Sequence, residues 1–185
     1  MLARQILLRY NITTRELAQQ QEQDPGLEHA FAAHDHDACC ARTLDAVERM
    51  VAYSGLRLTP VRRRTLEILL EEHRALGAYE VLERLVRDGY GNQPPVAYRA
   101  LEFLVENGLA HRIRQLNAFA ACAMPQEAHD PVFLICSGCD LVAELPGTAA
   151  SSGLRSSAMR AGFSIENMNV EMTGLCPSCA GEVRP

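Results

Sequence analysis

The chain contains no lysine and no tryptophan: all 18 of its basic residues are arginine, and only 5% of its 185 residues are aromatic. Arginine suits bidentate contacts to phosphate and guanine, but a chain-wide lack of lysine reflects genomic base composition more than chemistry. Also missing is a long apolar run. Ile6-Leu7-Leu8 is interrupted by Arg9, and no small-residue cleavage site follows. Neither a secretory signal nor a membrane span is supported there, so a cytoplasmic protein with no membrane partner is expected. A basic balance is absent too, since the formal net charge is −5. Taken over the whole chain, that argues against nucleic acid. Between Leu56 and Gln115, however, ten arginines face eight acidic residues, and this middle stretch is net basic.

With 48% apolar residues the chain can bury a core in one or two small domains. Seven cysteines without a signal peptide fit a reducing compartment. Four of them form two pincers, Cys136-Ser-Gly-Cys139 and Cys176-Pro-Ser-Cys179, separated by 36 residues. Two C-x2-C turns complete a tetrahedral Zn²⁺ shell with no position left for substrate, which describes a structural site. Disulfides and unliganded core cysteines are the alternatives. The gap exceeds the spacing of common zinc motifs, so each pincer is expected on its own hairpin.

Residues 1–41 read as a leader. Thr13-x-x-Glu16 resembles a capping box, and Gln19 to Gly26 is polar and turn-forming. His34, His36, Cys39 and Cys40 lie within seven residues. They offer a conceivable third metal site, although an acidic flexible segment before a helix explains them as well. Apolar residues at Leu44, Val47 and Val51 follow the helical period up to Gly55. Thr59-Pro60 then supplies an N-cap and a first-position proline. Arg62, Arg63 and Arg64 ride the first turn of that helix, against its dipole, as phosphates nearby would favour and as ordinary surface arginines also would. Ala78 to Arg87 forms the next helix, with Val81, Leu82, Leu85 and Val86 inward.

Pro94-Pro95 opens the helix Val96 to Asn107. At 100° per residue, Ala97, Leu101, Leu104, Val105 and Gly108 share a core face. Arg99, Glu102 and Glu106 lie opposite, with Tyr98 at the edge. Two short strands follow, Ala110 to Arg114 and Ala118 to Cys122. Three helices and a hairpin spell a winged helix with Tyr98-Arg99 on its reader helix, over residues 42–123. A hinge at 124–130 leads to a small unit, 131–185. Strands are expected at Val132 to Ile135, Leu141 to Leu145 and Phe163 to Met172, with a helix from Gly153 to Arg160. The fold class expected is therefore α+β. His111, Cys122, His129 and Glu144 bracket the hinge. Singly each has a dull reading, but together they form an N, S, N, O set that suits Zn²⁺.

The segments Leu56-Arg-Leu-Thr-Pro60-Val-Arg62, Ala78-Tyr79, Pro94-Pro-Val-Ala-Tyr98-Arg99-Ala-Leu101, Cys136-x-x-Cys139 and Gly174-Leu-Cys176-x-x-Cys179 together resemble the ferric uptake regulator family, most of all its zinc uptake regulator branch. The resemblance covers about residues 42–180. It implies a winged-helix DNA-binding domain, a dimerisation domain with structural zinc on the four pincer cysteines, and a regulatory zinc on His111, Cys122, His129 and Glu144. About two zinc ions per chain would follow. It further implies a homodimer on a palindromic double-stranded operator, with Tyr79 and Arg99 at operator-contacting positions, and repression of zinc-uptake genes when zinc is replete. A sensor of another divalent metal or of peroxide, and a zinc hydrolase, are the rivals. The chain departs from the family where Val96 replaces a usual Thr. It also lacks the histidine-rich run and the second histidine of the iron-sensing branch, having only His129 in the first region and none in Glu166 to Val170.

Overall fold

The computed structural model of the protein describes residues 31, 35–125, 129–145 and 147–182. The Thr13–Glu16 capping box, the Gln19–Gly26 segment, His34 and part of the expected hinge lie outside the described residues. Helix α1 spans His36–Ser54. Asp35 caps it by accepting the Ala38 N–H at 3.0 Å, and Gly55, at φ 70°, ends it in the left-handed conformation that glycine adopts without cost. The leader boundary expected at residue 42 therefore falls inside a helix. Helix α2 is Pro60–Leu70, with Thr59 in the N-cap position but without a side-chain cap bond. Helix α3, Ala78–Arg87, starts where Glu80 accepts the Gly77 N–H at 2.8 Å. Helix α4 is Pro94–Glu106, entered through its two prolines.

Strands β1 (Ala110–Ile113) and β2 (Ala118–Ala121) form the antiparallel wing. Leu76 joins its edge through two 2.8 Å backbone hydrogen bonds with Phe119. Leu66, Ile68, Leu76, Val81, Leu85, Leu101, Leu104 and Leu109 are all fully enclosed between the helices and the wing. Each buried side chain of this size stabilises by about 1.5–3 kcal/mol. The helical wheel placed Val86 and Gly108 inward, and the structure corrects both. Val86 is 42% exposed in the last turn of α3, and Gly108 is an exposed left-handed residue just past α4.

The second unit is a three-stranded sheet in the order β4-β3-β5, with β3 at Val132–Cys136, β4 at Val142–Leu145 and β5 at Val170–Gly174. β3 pairs antiparallel with β4 and parallel with β5. The parallel pairing requires a crossover, which helix α5, Thr148–Arg160, provides. The strand expected from Phe163 shortens to β5, because 162–169 carry the return from α5 to the start of the sheet. A short helix α6, Pro177–Glu182, closes the described chain. No helix among the described residues is long and apolar enough to cross a membrane.

Backbone bonds and a shared apolar cluster lock the two units together. Val142 N–H donates to His73 O at 2.9 Å, beside an Arg74–Leu141 bridge. Ile113 and Ala118 of the wing pack with Phe133, Ile135 and Val142 of the sheet. On the other side Glu171 of β5 accepts the N–H groups of Arg114 and Gln115 at 2.8 and 2.9 Å, gripping the wing turn. Hydrogen bonds to a charged group are worth about 1.5–3 kcal/mol. Glu171→Ala is therefore expected to speed amide exchange at Arg114 and Gln115 by roughly tenfold or more, leaving Leu101 and Leu104 in α4 unaffected. Unchanged exchange at the wing turn would show that the grip is not formed in solution.

Candidate metal centres and nucleic-acid interface

Cys136 ends β3 and Cys139 lies in the β3–β4 turn, so the first pincer sits on a hairpin as expected. The second does not: Cys176 follows β5 and Cys179 lies in α6, a strand-to-helix turn. The four sulfurs all lie within 4.8 Å of one another. Cys139 Sγ and Cys176 Sγ are 3.8 Å apart, the separation that two thiolates take about one tetrahedral zinc at about 2.3 Å and far beyond a disulfide bond of about 2.05 Å. Cys176 N–H donates to Cys136 Sγ at 3.2 Å and Gly138 N–H at 3.4 Å. These bonds, the Cys176 amide foremost, hold the Cys136 thiol down to about 6. The Cys176 thiol beside it pushes Cys179 up instead, so four thiolates need a cation among them. Gly138 makes room for the closure, because a Cβ there would lie 3.0 Å from Cys179 Sγ. Gly138→Val is expected to accelerate loss of zinc to a chelator by roughly tenfold or more, measured by release into a chromogenic chelator. A wild-type release rate would remove this role.

The second cluster is assembled from both units. His111 comes from β1, Cys122 follows β2, His129 precedes β3 and Glu144 stands in β4. Their donor atoms lie within 4.8 Å of one another. His129 Nε2 is 2.5 Å and His111 Nε2 is 3.0 Å from Glu144 Oε1, and Cys122 Sγ is 3.7 Å from His129 Nε2. Ala123 N–H donates to Glu144 Oε2 at 2.8 Å and so aims the other oxygen into the cluster. His111 Nε2 is buried yet makes no hydrogen bond there, because its approach to Glu144 is out of line. An orphaned buried nitrogen aimed at a carboxylate and a thiol fits a cation between them. Burial works to raise the Glu144 carboxyl, but His111 and the Ala123 N–H outweigh it and hold it below the usual carboxylate range. Burial, with Glu144 nearby, pushes the Cys122 thiol well up, so thiolate forms there only with a cation. The donor set of two imidazoles, a thiolate and a carboxylate suits borderline Zn²⁺.

In the reader unit, Tyr79 at the start of α3 and Tyr98 in α4 are 66% and 41% exposed. They line one groove with Glu102, Arg112 and Asn117. Arg99 stands exposed on the same turn of α4 as Tyr98. The three consecutive arginines are dispersed. Arg62 lies over the Phe103 ring at 3.6 Å. Arg63 pairs with Glu48 and Glu67, and Arg64 with Glu67, Glu71 and Asp88. They brace α2 against its neighbours rather than presenting a row of unpaired charge.

Residues 53–173 match the model of the ferric uptake regulator family. The chain belongs to that family. It is 31% identical over 137 residues to the zinc uptake regulation protein of Escherichia coli K12, covering 74% of this chain and 80% of that protein. A solved zinc uptake regulator complexed with zinc and DNA superposes with a TM-score of 0.73 at 28% identity, over 77% of this chain and 96% of that one. Holo XcZur gives 0.68 at 39% identity, over 75% and 96%. The fold is thus that of the family, a winged helix followed by a small α/β unit. In this family member both ligand sets expected from sequence converge, and Tyr79 and Tyr98 line one groove while Arg99 stands exposed beside Tyr98 in the sequence of α4. Sequence reasoning missed Arg112, the Ala123 N–H and Glu171. The first sits in a wing whose twist decides where it points, and the other two act through backbone groups that carry no sequence signal.

Proposed function

We propose that this family member is a zinc-responsive, DNA-binding transcriptional regulator that represses zinc-uptake genes when zinc is replete. The observation carrying this is the hinge cluster, whose donors are split between the reader unit and the sheet unit. A cation there favours one relative pose of the two, and it shifts the population only as far as it prefers that pose. Two zinc ions per chain fit the two clusters, a structural one on Cys136, Cys139, Cys176 and Cys179 and a regulatory one on His111, Cys122, His129 and Glu144. Cys122 favours zinc over harder metals. The hydrolase reading fails on Glu144, which would have to stand free as general base but meets both imidazoles.

The domain plan follows: a reader over 42–123, which α1 extends back to His36, a hinge at 124–130 and a dimerisation unit at 131–185. Exposed Leu154, Met159, Phe163, Met172 and Leu175, together with β5 at the open edge of its sheet, support a homodimer through the second unit. Two reader helices would then enter successive major grooves of a palindrome, about 34 Å apart. A gel-shift titration on palindromic DNA with metal counting tests the reading, and DNA binding indifferent to zinc would overturn it. Arg99→Ala is expected to weaken operator binding by about 1–3 kcal/mol, roughly tenfold to hundredfold, with zinc content unchanged. Equal affinity would place Arg99 off the DNA.

Acidification is expected to raise the zinc concentration needed for DNA binding. Cys122, pushed up by burial, must give up its proton and both imidazoles must be neutral for the metal to bind. Protons therefore compete with zinc increasingly as pH falls, and a zinc requirement flat between about pH 8 and 6 would contradict the ligand set.

A further inference from the structure

Of the four hinge donors, His129 has the least support from its own element. His111 stands in β1, Glu144 in β4, and Cys122 directly follows β2, whereas His129 lies three residues ahead of β3. The last rung of the β3–β4 hairpin pairs Val132 with Leu145, and so that ladder stops short of it. Asp130 supplies the missing anchor. Arg155 of α5 grips its carboxylate with two parallel bonds, Nε to Oδ2 at 2.7 Å and Nη2 to Oδ1 at 2.5 Å. Such a two-pronged pair fixes orientation as well as distance. A second contact holds the same residue from the backbone side. Gly147, in the N-cap position of α5, has φ −71° and ψ −3°, a conformation open to any residue. Its lack of a side chain is therefore a matter of room: a Cβ there would run into the Asp130 carbonyl oxygen. Gly147 and Arg155 are two helical repeats apart, with buried Ser151 midway, so all three share one face of α5. Gly147 also lies three residues beyond Glu144, so the start of α5 is tied to the neighbourhood of two ligands, His129 and Glu144, whose Nε2 and Oε1 are 2.5 Å apart.

We propose that Arg155 is a positioning residue for the hinge metal site: through Asp130 it holds His129 where its imidazole meets Glu144 and the cation. The proposal rests on the regulatory reading above and deepens it, adding α5 to the groups that set zinc affinity. Without the clamp, zinc must order residue 129 as it binds, and affinity falls by that cost. A plain electrostatic role has the opposite sign. Removing Arg155 deletes a positive charge and leaves the Asp130 carboxylate unpaired beside a cation site, which by Coulomb attraction alone tightens zinc.

The test is competition of the full chain against a zinc chelator, with the tetracysteine site already filled. Arg155→Ala is expected to weaken the second zinc roughly tenfold, the lower end of what losing a ligand's supporting partner costs. Arg155→Lys, which keeps one charged bond to Asp130, should recover part of that loss. Arg160→Ala makes the same charge change at the end of the same helix and should bind zinc as the wild type does. Asp130→Ala combined with Arg155→Ala should be no weaker than Asp130→Ala alone, because both substitutions break one clamp. Thermal unfolding of Arg155→Ala should stay close to that of the wild type, since a half-exposed pair adds little to global stability. With cobalt in the hinge site and zinc on the four cysteines, Arg155→Ala should shift the d–d absorption bands, which report ligand geometry rather than stability. Unchanged or tighter zinc binding in Arg155→Ala overturns the clamp and leaves the hinge reading standing, as does an equal loss in Arg160→Ala. A wild type that takes up no second zinc overturns both.

Discussion

Cys176→Ser is expected to unfold the second unit while the winged helix stays folded. Metal binding contributes about 10–16 kcal/mol to structural zinc sites, against about 5–15 kcal/mol of net stability for an ordinary domain. The sheet unit cannot replace that from packing. Its strands have five, four and five residues, and its buried apolar residues, Val132, Phe133, Ile135, Val142 and Ala143, make a small core. Cys176 also donates its own N–H to Cys136 Sγ, so moving that turn loosens two ligands at once. The reader unit has an independent core around Leu66, Leu85 and Leu104 and should keep its helical circular dichroism and its own melting transition. The variant should lose about one zinc per chain and elute as a monomer. A dimer with wild-type unfolding would mean that the cysteines are not the structural support argued here.

The helices and the tetracysteine set were legible because each is encoded locally. Period, Pro60, Pro94 and Gly55 bound the helices, and two C-x2-C turns announce their shared ion at any separation. The hinge donors were legible as a set only because four ligands of three types fall at or near element ends. What escaped the sequence depends on three-dimensional register. Val86 reads as a core residue on a wheel, yet in the last turn of α3 it stays 42% exposed. The second pincer reads as a hairpin, yet parallel pairing of β5 with β3 forces a crossover and leaves a strand-to-helix turn. Arg62, Arg63 and Arg64 share the first turn of α2 in sequence, but their partners, Phe103, Glu48 and Asp88 among them, come from other parts of the chain that only the fold brings together.

Cys122→Ser should abolish the zinc dependence of DNA binding while sparing the fold. Loss of a group that merely orients a metal ligand costs roughly 10–100-fold in affinity, so replacing the thiolate itself by a hydroxyl should cost more than that. The effect on DNA is larger than on folding for a geometric reason. Cys122 is fully buried at the end of the wing, and serine nearly matches its volume, so the reader core is little disturbed. His111, His129 and Glu144 would remain, but with Ala123 N–H still holding one carboxylate oxygen they are three hard or borderline donors, and the preference for zinc over magnesium-like ions drops. Moving a two-state pose from 1:99 to 99:1 needs about 10⁴-fold preferential binding. A weakened site cannot supply that at the same zinc concentration. The variant should therefore bind operator DNA at the weak, zinc-free level across a titration that saturates the wild type, with the structural zinc retained. Glu144→Gln should behave alike, since it removes the one carboxylate that joins β4 to both histidines. If either variant tightens on DNA with zinc as the wild type does, the contact between the two units is set by the Glu171 grip, the His73–Val142 bond and the shared apolar cluster, and the hinge cluster is not the sensor.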